Sequence, residues 1–143
     1  MPISNHIPDS RRAAVRLAIQ SAFGSHEPRD FQPISGGVSG ALILRFDLQG
    51  RSYVLRLEPE RIALHDRERG FACMSAAAVG GAAPRVHYAD PVGGVAIMDF
   101  IAGRPLATYP GGAAALAKAL GGLIAKVQAT APFPSLGDYP DAI

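Results

Sequence analysis

The sequence contains no tryptophan, a single cysteine and, as lysines, only Lys118 and Lys126. The lone Cys73 excludes an internal disulfide framework and a multi-cysteine metal site, and it fits a reducing compartment. No uninterrupted apolar run approaches the roughly 18 residues that a membrane-spanning helix needs. The polar start Ser4, Asn5, His6 and Asp9 is unlike the apolar core of a signal peptide, so a cytoplasmic protein without membrane contact is expected. There is no polybasic run either. The arginines are scattered singly or in pairs, and the formal net charge is only +2, which leaves no electrostatic footprint for nucleic acid. The histidines His6, His26, His65 and His87 show no i,i+4 pair and no acidic companion at metal-ligand spacing, so no metal site is expected from them.

What is present describes one foldable domain. The chain has 143 residues, 48% of them hydrophobic and 18% charged. At this length about two-thirds of the unfolded surface can be buried. The charges are unevenly spread, because only Lys118, Lys126, Asp138 and Asp141 follow residue 104.

The spacing predicts a helix over residues 10–23, capped by Asp9 or Ser10, with Val15, Ala18, Ile19, Ala22 and Phe23 facing inward and Gly24 as its stop. Its Arg11, Arg12 and Arg16 are expected to face solvent. A polar link leads to short strands over residues 31–34, 41–48 and 52–57, a β-meander. Alternation sets Leu42, Leu44 and Phe46 on one face and Ile43, Arg45 and Asp47 on the other. Residues 61–79 return to helical spacing, with Ile62, Leu64, His65, Phe71, Ala72 and Met74 expected to be buried. Strands follow over 85–89 and 95–101. A last helix over 113–129 carries the stripe Leu116, Leu120, Leu123, Ile124 and Val127, with Ala and Gly on its other faces. Such a helix calls for neighbours on more than one side. The fold class is α+β, with a five-stranded antiparallel sheet.

The chemical candidate is the glycine-rich stretch Ser35, Gly36, Gly37, Val38, Ser39 and Gly40, where backbone N–H groups are free to approach phosphate oxygens. No Gly-Lys-Ser/Thr follows, so it is not a Walker loop. A strand rather than a helix comes next, so it is not a dinucleotide fingerprint. Ala41 stands where a nucleophile elbow needs glycine. Arg56 interrupts the apolar strand Tyr53-Val54-Leu55-Arg56-Leu57, where a cation needs a partner or an anionic ligand. Glu68 follows within the next helix. A strand cation fixed by a helical carboxylate, below a glycine-rich turn, is a phosphate-positioning device of kinases.

These fragments, with Asp66-Arg67-Glu68-Arg69, Ala83-Pro84-Arg85-Val86 and Ile97-Met98-Asp99-Phe100-Ile101-Ala102-Gly103-Arg104-Pro105-Leu106, resemble the amino-terminal lobe of the aminoglycoside phosphotransferase and choline kinase family. The resemblance covers roughly residues 31–130. It implies a protein-kinase-like small lobe, with residues 1–30 a leading helix and link, 31–102 the nucleotide-binding lobe with one packed helix, and 103–143 a hinge exit and the start of an incomplete helical lobe. It implies that Gly36 to Gly40 cover the phosphates of ATP, that Arg56 stands where most kinases place lysine, and that Glu68 fixes Arg56. Met98 borders the adenine pocket, and the Asp99 carbonyl and Ile101 N–H pair with the adenine edge. The activity implied is ATP-dependent phosphorylation of a hydroxyl on a small-molecule acceptor. The catalytic Asp and the Mg2+ ligands of that family have no counterpart here, since Asp138 and Asp141 read as tail residues. The chain is therefore expected to be either the front part of a longer kinase, inactive alone, or a natural small-lobe-only protein, and the sequence does not separate the two. The rival reading is a noncatalytic nucleotide-binding or protein-interaction module that keeps the small-lobe fold.

Overall fold

The computed structural model describes residues 5–34 and 40–133. Five strands form one antiparallel sheet in the order β1-β2-β3-β5-β4, with β1 at Arg29–Pro33, β2 at Leu42–Leu48, β3 at Arg51–Leu57, β4 at Val86–Asp90 and β5 at Val95–Asp99. The helices of the described residues are α1 (Asp9–Phe23), α2 (Leu64–Val79) and α3 (Gly112–Gln128), with a 3-10 turn at Leu106–Thr108. The expected α+β class and antiparallel sheet are both present. Among the described residues no helix is long and apolar enough to cross a membrane.

Period-two alternation builds the core. Leu44, Phe46 and Leu48 of β2, Tyr53, Leu55 and Leu57 of β3, and Val95 and Ile97 of β5 share one face and are buried. Helix α1 closes that face with Val15, Ala18 and Ile19, and Ile7 joins them. The leading helix, with the inward stripe expected of it, thus covers one face of the sheet. Phe46 is the hub of an aromatic cluster, edge-on to Phe23 at 6.4 Å and stacked with Phe31 at 5.3 Å and Tyr53 at 5.6 Å.

Hairpin β2–β3 turns on Gln49 and Gly50, both in the left-handed region (φ 52° and 76°), which matches the right-handed twist of the strands it joins. Helix α1 begins after Pro8 without the side-chain cap expected from Asp9 or Ser10. Asp9 instead pairs with Arg12 at 3.1 Å. Strand β5 ends at Asp99, short of the expected residue 101. Helix α2 starts at Leu64, later than its apolar spacing suggests, because a turn closed by Ile62 N–H on the Pro59 carbonyl (3.1 Å) comes first.

Of the residues expected to be buried on α2, only Phe71 is. Ile62 and Met74 are half-buried, and Leu64, His65 and Ala72 are exposed. The helix lies along β4 at the margin of the sheet, so little of its circumference meets an opposing surface. Helix α3 buries no residue at all, and Leu120, Leu123, Ile124 and Val127 are exposed. Among the described residues it packs mainly against the 3-10 turn, and beyond its end Thr130 lies against Gly80.

Candidate functional site on the open face of the sheet

The face of the sheet turned away from α1 carries two rows of side chains. Register aligns Ile43, Arg56 and Ala96 in one row and Arg45, Val54 and Met98 in the next. Each row carries one cation, which is unusual for a sheet face, and each cation is held by a carboxylate two residues further along the chain.

Arg56 Nε donates to Glu58 Oε1 at 2.5 Å, a charge-assisted bond to the residue two further on, just past the end of β3. The guanidinium remains a third exposed, whereas the Glu58 side chain is nearly buried. This corrects the expected Arg56–Glu68 pair. Glu68 lies exposed on α2 with no hydrogen-bond partner among the described residues. The neighbouring Arg67 instead reaches the β4–β5 turn, donating to the Val92 carbonyl at 3.1 Å, and a helical step of about 100° separates the two side chains. Strand periodicity delivers Glu58 to Arg56 at no tertiary cost, and the helix offers no rival.

In the second row Arg45 bonds Ser52 Oγ at 3.0 Å and Asp47 Oδ1 at 3.3 Å, and lies over the Phe100 ring at 4.9 Å. Ser52 donates to Asp47 at 2.6 Å, and this bond, more than the charge of Arg45, holds the Asp47 carboxyl below its ordinary pKa against the opposing effect of burial.

The glycine-rich stretch joins β1 to β2. Ser35, Gly36, Gly37, Val38 and Ser39 lie outside the described residues, and Gly40 is its described end. Gly40 has φ of 73°, a left-handed conformation that favours glycine, and a Cβ there would come within 2.9 Å of Arg61 Nη2 and 3.7 Å of Pro59.

At the far end of the face, Met98 is half-buried beside Val54 and Val86. Asp99 N–H bonds the Arg85 carbonyl (2.9 Å) and Phe100 N–H the Ser52 carbonyl (3.2 Å). Ile101 is largely exposed. The Asp99 carboxylate accepts from His87 Nε2 at 2.7 Å, and the His87 ring packs against Phe23 and Tyr53. Asp99 is therefore anchored to the core side of the sheet.

The structure sets Met98 in the row next to Arg56 on one face of the sheet, places Gly40 against Arg61 and Pro59 and Asp99 against His87, and gives Arg56 no bond to Glu68. It adds two groups that the sequence reading passed over. One is Glu58, for which the signal was its i+2 spacing from Arg56. The other is Arg11, expected in solvent but half-buried, donating to the carbonyls of Glu58 (2.9 Å), Gly93 (2.5 Å) and Gly94 (3.1 Å). Its signal was position, since residues 11, 15, 18 and 22 share one helical face. Arg11→Ala is expected to cost about 1–3 kcal/mol by stripping three carbonyls of a charged donor. Urea unfolding checks this, with Arg16→Ala on the exposed face as the control.

No protein-family model and no curated protein matches this chain. The class that fold and site define is an α+β protein whose antiparallel sheet is covered by α1 on one face and carries arginine–carboxylate pairs on the other.

Proposed function

We propose that the chain is the ATP-binding lobe of an ATP-dependent phosphotransferase acting on a hydroxyl of a small molecule, in the manner of the aminoglycoside phosphotransferase and choline kinase family. The observation that carries this reading is a juxtaposition. A glycine-rich connection between β1 and β2 ends at Gly40, next to β3 with its mid-strand Arg56, in a sheet ordered β1-β2-β3-β5-β4 whose β3 and β4 are joined through a helix.

The residues present fit a nucleotide. Glycines of the kind that end this connection at Gly40 let backbone N–H groups approach phosphate oxygens without a side chain of their own between. The exposed part of the Arg56 guanidinium offers N–H groups that Glu58 does not use, suited to the α- and β-phosphates. Glu58 takes over from Glu68 the role of orienting that cation. Met98 borders the adenine, and the Asp99 carbonyl and Ile101 N–H meet its polar edge. Among the described residues no group of three or more His, Cys, Asp and Glu side chains is placed to hold a metal ion. The chain's part in the reaction is to bind and orient the phosphates.

The test is thermal unfolding of the protein isolated from its source. ATP at 100 times its dissociation constant stabilises a binder by about 2.7 kcal/mol. A rise in melting temperature with ATP supports the reading, and a melting temperature indifferent to millimolar ATP contradicts it.

A further inference from the structure

We infer that His87 is a positioning residue for adenine recognition, fixing through the Asp99 carboxylate the strand end whose backbone meets the adenine edge. This inference rests on the nucleotide reading above and adds to it a residue on the core side of the sheet. Three observations carry it. The first is the bond itself. His87 Nε2 donates to Asp99 Oδ1 at 2.7 Å, and the His87 side chain is 15% exposed, whereas His65, whose ring also meets a carboxylate, is 75% exposed. A surface pair yields to water and side-chain motion, but one with a buried member keeps its geometry. The second is packing. The His87 ring stands edge-on to Tyr53 at 5.2 Å and tilted against Phe23 at 5.4 Å, so β3 and the end of α1 set its orientation. Tyr53 is also the register partner of Asp99.

The third is where the chain goes next. Asp99 ends β5, with its N–H on the Arg85 carbonyl at 2.9 Å and Phe100 N–H on the Ser52 carbonyl at 3.2 Å. Beyond them, the next backbone hydrogen bond among the described residues is that of Thr108 N–H on the Pro105 carbonyl, so Ile101 N–H has no backbone partner. The Asp99–His87 bond thus ties to the core the last residue before the chain leaves the sheet. A backbone carbonyl and N–H recognise a base edge best when their geometry is set before the ligand arrives, because ordering them on binding costs affinity. Adenine offers an amino donor beside a ring-nitrogen acceptor. Hypoxanthine offers the reverse and cannot use both groups, so a loosened strand end penalises ATP and not inosine triphosphate.

The experiment is equilibrium binding of ATP and of inosine triphosphate to the protein and to its His87→Phe, His87→Gln and Asp99→Ala variants. Phenylalanine keeps a ring between Phe23 and Tyr53 but has no donor, glutamine keeps an N–H donor, and Asp99→Ala removes the acceptor without touching the ring. Wild-type protein is expected to prefer ATP. His87→Phe and Asp99→Ala are each expected to weaken ATP about tenfold with inosine triphosphate nearly unchanged, and His87→Gln to recover part of the loss. Unchanged ATP affinity in both of the first two variants, or an equal loss for the two nucleotides, overturns the role of His87 while leaving the nucleotide site in place. Wild-type protein that binds both nucleotides equally removes the adenine contacts at Asp99 and Ile101, and this inference with them. Wild-type protein that binds neither overturns the nucleotide reading as a whole.

Discussion

Arg56→Ala is expected to lower ATP affinity by roughly 10- to 100-fold, the worth of one or two charge-assisted hydrogen bonds to phosphate. The substitution has a second consequence, because Glu58 is only 11% exposed and loses the donor that satisfies it. A loss of stability of about 1–3 kcal/mol accompanies it. Arg56→Lys separates the two effects. Lysine keeps the charge but not the planar fork, so the variant retains part of the stability while the bidentate contact to phosphate is lost. Titration calorimetry reads the affinity and urea unfolding the stability. Unchanged affinity in both variants removes Arg56 from the site.

The largest effect on folding is expected from Phe46→Ala. Phe46 is fully buried at the centre of the aromatic cluster, between Phe31, Tyr53 and Phe23, and both α1 and the sheet close over it. Phenylalanine-to-alanine changes in such cores cost about 3–5 kcal/mol, through lost transfer energy and the cavity left behind. For a chain of this size that lowers the melting temperature by on the order of 10 °C. Phe46→Leu retains more of the volume and is expected to cost about half as much. By contrast, alanine at the exposed Leu123 of α3 is expected to change stability by less than about 0.5 kcal/mol.

The contrast between these positions shows what the sequence makes legible. The period-two pattern through Leu44, Phe46 and Leu48 reads directly, because a strand with one face against a helix has only one way to sort its side chains. The α1 stripe of Val15, Ala18 and Ile19 reads for the same reason at a period of 3.6. On α2, spacing identifies a face but not how much surface opposes it, and at the sheet margin only Phe71 finds cover. Arg11 sits on the core face of α1, and its charge concealed this. Its guanidinium caps the carbonyls of the β4–β5 turn, which no local pattern announces.

The site divides in the same way. Arg56 is legible as a cation among apolar neighbours, and its partner Glu58 lies within the same strand period. Glu68 depended on the placement of a helix across a loop, which spacing alone does not fix. The His87–Asp99 bond is a contact across β4 and β5 beside a register shift between Val86 and Tyr88, and a bulge of that kind has no signature in the residues around it.

The most direct test of the central claim is amide hydrogen exchange on the protein with and without ATP. The proposed site predicts slowed exchange at two separated places, around Gly40 with β3 near Arg56, and at Asp99 to Ile101, while the outer hairpin turn at Gln49 and Gly50 is unaffected. Protection confined to another surface, such as the groove lined by His26, Asp30 and Asp47, or no protection at saturating ATP, contradicts it.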